Sequence, residues 1–292
     1  MGDPTLSQFI EGWPLFREPV LAAACAGGLL GALGVYVVLG RMVFLSAALS
    51  QSAGLGVALA FFAQLHLAVS PSMASPALGA ALVTFLALGL IMRDRSVEGH
   101  RRDGLLGLVF LVGSGGTLIV GTRIVQEVQD IQTLLFGTAV AVLPEDLRAL
   151  AVLTALVGAV HLIGARGFVE VVFDPDGARV RGLPVGGLRA ALLVTMAASV
   201  SLVTQVLGAL PAFAFSVLPA LAVVPLASNV PRAMLMAAVA GASMGALGYL
   251  MAFFYDLPVG ASQALVGVAM VGLGGGLGRA IGWAFGVVRS RR

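Results

Sequence analysis

Residues 189–227 read RAALLVTMAASVSLVTQVLGALPAFAFSVLPALAVVPLA. After Arg189 no charged residue occurs for 42 positions, until Arg232, about twice the ~20 apolar residues that carry a helix through ~30 Å of hydrocarbon. Gly208 and Pro211 interrupt the run. The stretch therefore reads either as two helices joined by a tight hairpin or as one broken helix lining a cavity. Working outward, similar runs cover 19–40, 45–69, 74–92, 104–121, 146–165, 233–254 and 260–278. A strand barrel would alternate in segments of about ten residues, and these runs are continuous. The expected fold is all-α: a polytopic membrane protein of nine spans, or eight if 208–211 is a break within one helix.

Composition agrees. Of 292 residues, 59% are hydrophobic and 11% charged, with a mean hydropathy of +1.02. A water-soluble chain is near half apolar and a quarter charged. The 39 glycines suit close helix packing in lipid. All 17 basic residues are arginines, so an internal phosphate-binding P-loop and lysine Schiff-base chemistry are both excluded. ATP, if used, must be hydrolysed by another chain. The single cysteine, Cys25, excludes a disulfide framework and a CxxC metal site.

Arginine bias sets the expected orientation. With the amino terminus outside and the carboxyl terminus cytoplasmic, fourteen arginines fall inside and only Arg17, Arg123 and Arg148 outside. The +3 net charge thus serves topology, and no nucleic-acid partner is expected. The first eighteen residues carry Asp3, Glu11 and Glu18 against Arg17, the wrong sign for a signal peptide. They read as a short tail with an amphipathic stretch around Trp13 to Phe16. Residues 1–292 form one transmembrane domain without a soluble module. Two inner loops are long, 93–103 and 166–188. In the second, Asp174-Pro175-Asp176 starts a short helix and Gly182-Leu183-Pro184 stops it. That helix is either a contact surface for a partner or an ordinary capped turn.

Five blocks carry a resemblance over nearly the whole chain: GRMVFLSAALSQSAGLGVALA (40–60), LLFGTAVAVLPEDL (134–147), FDPDGARVRGLPV (173–185), LPALAVVPLASNVPRAML (218–235) and FFYDLPVGASQALV (253–266). In this order and spacing the chain resembles the permease subunits of ABC importers for zinc, manganese and iron, the metal-transport ABC-3 family. The resemblance implies a homodimer in the inner membrane of a bacterium, seated on two cytoplasmic ABC ATPase subunits. It also implies loading by an extracytoplasmic solute-binding protein. ATP and magnesium would sit on the ATPase, with no cofactor on this chain. Residues 173–185 would hold the coupling helix. Asp174 and Asp176 would complement its dipole, Arg179 and Arg181 offer rim charges, and Ala178 and Gly182 permit close approach.

The chain departs from that family at its metal ligands. An aspartate and a histidine usual in the second span, one helical turn apart, match Ala47 and Gln51; a fourth-span histidine matches Leu111. The polar residue after Leu-Phe-Gly is Thr138. No acidic residue lies deep in a span, and of three histidines only His161 falls within one, where it reads as a packing residue. The candidate substrate pathway is therefore Ser46, Ser50, Gln51, Thr138 and Gln205, and no metal-ligand set can be named. Gln51 carries the most weight, since an amide in hydrocarbon needs a partner. Ser50, Gln51 and Gln205 could equally bond helix to helix. The pairs Gly27/Gly31 and Gly241/Gly245 read as packing faces.

The expected function is the permease of an ABC importer for a divalent transition metal. Its alternatives are the same machine moving a metal chelate or another small polar solute, and an ATP-independent secondary transporter. Proton coupling normally uses intramembrane carboxylates or histidines, which disfavours the last.

Overall fold

The computed structural model describes residues 6–93, 99–124 and 142–289. Its helices are α1 (Leu6–Glu11), α2 (Trp13–Leu39), α3 (Val43–His66), α4 (Pro76–Arg93), α5 (Gly99–Ile124) and α6 (Pro144–Ile163). Next come α7 (Ala165–Phe173), α8 (Pro175–Val180), α9 (Val185–Leu207), α10 (Ala209–Val223), α11 (Val230–Tyr255) and α12 (Val259–Arg289). Among the described residues nine helices are long and apolar enough to cross a membrane. No strand occurs among them. The chain is an all-α, multi-pass membrane protein.

The junction at 208–211 resolves as two helices. Gly208 alone separates α9 from α10, with φ 101° and ψ 163°, a backbone conformation that an L side chain rarely adopts. Pro211 falls in the first turn of α10, where a missing N–H costs nothing. The amino terminus differs from the expectation. Residues around Trp13 to Phe16 are not a separate amphipathic stretch but the first turn of α2, which starts at Trp13 rather than at residue 19. Pro14 suits a helix start. The rings of Phe9, Phe16 and Phe253 pack with centroids 5.1–5.3 Å apart, tying α1 and α2 to the end of α11.

Helix α10 is the centre of the bundle, with α2, α3, α11 and α12 around it. Closest packing is between α2 and α11. A Cβ on Gly27 would overlap the Gly241 carbonyl, and the converse holds too; Gly31 meets the Ala237 carbonyl and Gly245 that of Ala23. The two small-residue pairs read from the sequence are thus the two sides of one seam, where dispersion between backbones replaces a hydrophobic drive that lipid does not supply. Helices α3 and α4 approach in the same way through Gly56 and Gly79. The outer helices show apolar stripes to lipid, such as Leu82, Leu86 and Leu90 on α4.

Candidate functional site

Helices α7 and α8 lie at the end of the bundle where α2 stops and α3, α9 and α11 start. Gly164 ends α6, and α7 continues the chain with Phe168 and Val171 turned inward. Asp174 then caps α8: its Oδ1 accepts the Gly177 N–H at 2.9 Å, and Pro175 follows at the first helical position. Gly182, at φ 79°, turns the chain toward α9. Arg181 Nε donates to Glu170 Oε2 at 3.0 Å, and its Nη2 lies 3.7 Å from Asp174 Oδ2. This clamp ties α7 to the turn after α8. Sequence reasoning missed Glu170, because a separation of eleven positions across a helix break gives no periodic signal for the pair.

The predicted coupling residues divide in two. Asp176 and Arg179, paired at 2.7 Å, are both exposed and available to a partner. Ala178 is not: it is 0% exposed, packed between Val171 and Val185, so its small size serves the chain's own core and not a partner's approach. Val180, 90% exposed, and the exposed Phe173 were missed. They are exposed apolar side chains on a segment that also carries the charges of Asp176 and Arg179. Such a patch with a polar rim suits a protein partner.

The predicted pathway residues do not converge. Ser46 and Ser50 on α3 are fully buried. Ser46 Oγ is 2.5 Å from Ser216 Oγ of α10, and Ser50 Oγ donates to the Ser46 carbonyl at 3.0 Å. Within one protomer these hydroxyls are interhelical and intrahelical bonds with no surface left for a cargo. Gln51 is half-buried on another face of α3, its backbone against Gly113 of α5. Its amide has no hydrogen bond among the described residues. Gln205 Nε2 donates to Asp146 Oδ1 at 3.3 Å, joining α9 to the start of α6 at the end opposite α8. Asp146 Oδ2 also accepts the Leu143 N–H at 3.2 Å. Thr138 lies outside the described residues.

The positions that the resemblance aligns with metal ligands behave differently from one another. Ala47 is buried, whereas Leu111 is 68% exposed on the outward face of α5 and could not join Ala47 and Gln51 in one protomer. His161 Nε2 is 2.9 Å from Thr195 Oγ1, so one of its ring nitrogens is hydrogen-bonded within the bundle. Among the described residues no three His, Cys, Asp or Glu side chains come together to hold a metal.

The sequence pattern of the ABC 3 transport family matches residues 13–273. A probable iron transport system membrane protein of Haemophilus influenzae is 24% identical over 267 residues, covering 91% of this chain and 93% of that one. The manganese transport system membrane protein MntC of Halalkalibacterium halodurans is 23% identical, covering 88% and 85%. Among solved structures, PsaBC from Streptococcus pneumoniae in complex with Fab superposes with a TM-score of 0.78 at 21% identity, over 92% of this chain and 95% of that one. At that identity the likeness is one of fold.

Proposed function

Because the chain belongs to the ABC 3 transport family, we propose that it is the permease subunit of a bacterial ABC importer for a divalent transition metal. It is a transport component and not itself an enzyme; ATP and magnesium belong to a separate ATPase chain. Relatives named for iron and for manganese support a transition metal as cargo without choosing one. The amino terminus lies outside the cytoplasmic membrane, so α7 and α8 face the cytoplasm. In support, Arg41, Arg93, Arg166, Arg179, Arg181, Arg189 and Arg232 all lie at the α8 end of the bundle. Two copies pair, two ATPases bind beneath them, and a solute-binding protein docks on the opposite face.

The observation that carries this reading is the α7–α8 segment. Its cap and its Arg181–Glu170 clamp hold one shape, and it presents Val180, Phe173, Asp176 and Arg179 outward. A rigid apolar tip with rim charges can transmit a push from a nucleotide-driven partner into α6 and α9, to which it is directly joined. Cys25 is the chain's one cysteine, so Cys25→Ala with Val180→Cys gives a single reactive thiol for cross-linking. A cross-link to the ATPase whose yield changes with nucleotide is the expected result. A yield no higher than from a thiol placed at Ser72, at the opposite end, sinks the assignment.

A second reading concerns the cargo. The described pathway candidates offer two hydroxyls and two amides, which replace the hydration shell of a bare divalent cation poorly. A metal that arrives already coordinated needs no ligands from the permease. Competition of chelated against free metal for uptake separates the two cargoes.

A further inference from the structure

A cavity of about 710 Å³ opens between α2, α6, α7 and α11 at the α8 end of the bundle. Leu29, Leu33, Val157 and Met234 make its walls. It runs from Leu29 to Tyr36 along α2 and from Val230 to Ala238 along α11, which at ~1.5 Å per residue is about 10–12 Å. That is most of one leaflet of a hydrocarbon core ~30 Å thick. Two polar side chains share the wall. Tyr36 is 1% exposed and its hydroxyl has no partner; His161 is 5% exposed and its Nδ1 has none. Thr195 Oγ1 lies 2.9 Å from His161 Nε2 and engages that ring nitrogen, which leaves Nδ1 alone without a partner. Two buried polar groups are thus left without partners beside an apolar chamber.

The mouth is positive. Arg166 lines it, is exposed, and has no ion-pair partner among the described residues. Glu170, the one acid in the lining, is engaged by Arg181. Helix α11 starts at the same mouth with Val230 and Pro231, presenting the positive end of a 26-residue helix dipole. An apolar chamber as long as most of a leaflet, with a cationic rim at the water boundary, matches one class of molecule. A cationic cargo does not fit, because the rim repels it and the walls offer it no ligands.

We propose that this cavity binds an anionic phospholipid of the cytoplasmic leaflet. An acyl chain lies between α2, α6 and α11, the ester region meets Tyr36 and His161, and the phosphate sits between Arg166 and the start of α11. The site is independent of which cargo moves and rests only on the orientation given above.

The test uses the purified full-length chain equilibrated with equal phosphatidylglycerol and phosphatidylcholine, with retained lipid counted by native mass spectrometry. Wild type is expected to retain phosphatidylglycerol in preference. Arg166→Gln, a surface change that leaves the fold intact, should lower that preference about fivefold, the worth of one arginine near a charged lipid surface. Gly158 lines the cavity, and nothing lies within 4 Å of an added Cβ. Gly158→Phe should therefore fill the chamber and abolish retention of both lipids, with circular dichroism and gel filtration unchanged. Glycerol phosphate, the headgroup without its chains, should fail to displace the lipid. Equal retention of the two lipids by wild type overturns the proposal. So does unaltered preference in Arg166→Gln, or displacement by glycerol phosphate, which would make the mouth a small-anion site. A Leu235→Cys disulfide between two copies that added lipid does not suppress would show the face covered by a second protomer, and would overturn it equally.

Discussion

Replacing Asp174 tests whether the shape of α8 matters to its partner. The carboxylate does two things: Oδ1 accepts the Gly177 N–H at 2.9 Å, and Oδ2 lies 3.7 Å from Arg181. Loss of a helix cap costs about 1 kcal/mol, and an exposed ion pair contributes about 0.5 kcal/mol. Asp174→Ala thus forfeits about 1.5 kcal/mol, or about tenfold in the equilibrium for the docked helix, as an upper bound. Asp174→Asn keeps an acceptor for Gly177 and loses only the charge, so its affinity for the ATPase should fall two- to threefold, on the order of 0.5 kcal/mol. Affinity is measured by titrating the ATPase onto permease in nanodiscs, with ATP turnover read in parallel. The order wild type, Asn, Ala is expected in both. Equal affinity and stimulation across the three would refute the idea that the cap shapes the docking surface. A loss in Asn as large as in Ala would show that charge, and not the cap, is what the partner reads.

Gly241→Val should force α2 and α11 apart, because the added Cβ overlaps the Gly27 carbonyl and backbone cannot yield as a side chain can. A cost at or above the usual ~1–3 kcal/mol of overpacking follows, visible as lost monodisperse protein. Gly89→Ala on α4, with nothing within 4 Å of its Cβ, should melt with wild type. Ser46→Ala breaks the bond to Ser216, yet Ser216 still donates to the Phe213 carbonyl at 2.7 Å. The loss should be about 0.6 kcal/mol, near the mean for such bonds in membranes, and a melting point lowered by more than several degrees would contradict it. Gln51→Ala leaves no partner orphaned among the described residues, so expression and melting should hold while uptake falls. Unchanged uptake would reduce Gln51 to packing.

The spans were legible because each is a continuous apolar run, and the break at Gly208 because Gly and Pro sit together there. Asp174-Pro175 showed the start of α8 for a similarly local reason. Apart from the glycine seam of α2 and α11, the facing of the helices was not legible. In lipid both the packed and the outward face are apolar, so periodicity does not mark which side turns in. Leu111 and Ala47 look alike as sequence, and one faces out while the other is buried. Ala178 looked available because it is small, but its neighbours Val171 and Val185 come from helices on either side of α8. The Ser46–Ser216 pair spans 170 residues and leaves no local trace.

The most direct test is ATP-dependent uptake by sealed vesicles holding the permease, its ATPase and its binding protein, with manganese and iron supplied as cargo. Metal accumulation that requires ATP, and that Asp174→Ala weakens while the chain stays folded, is the predicted result. Accumulation that proceeds without ATP or without the ATPase chain would contradict the account.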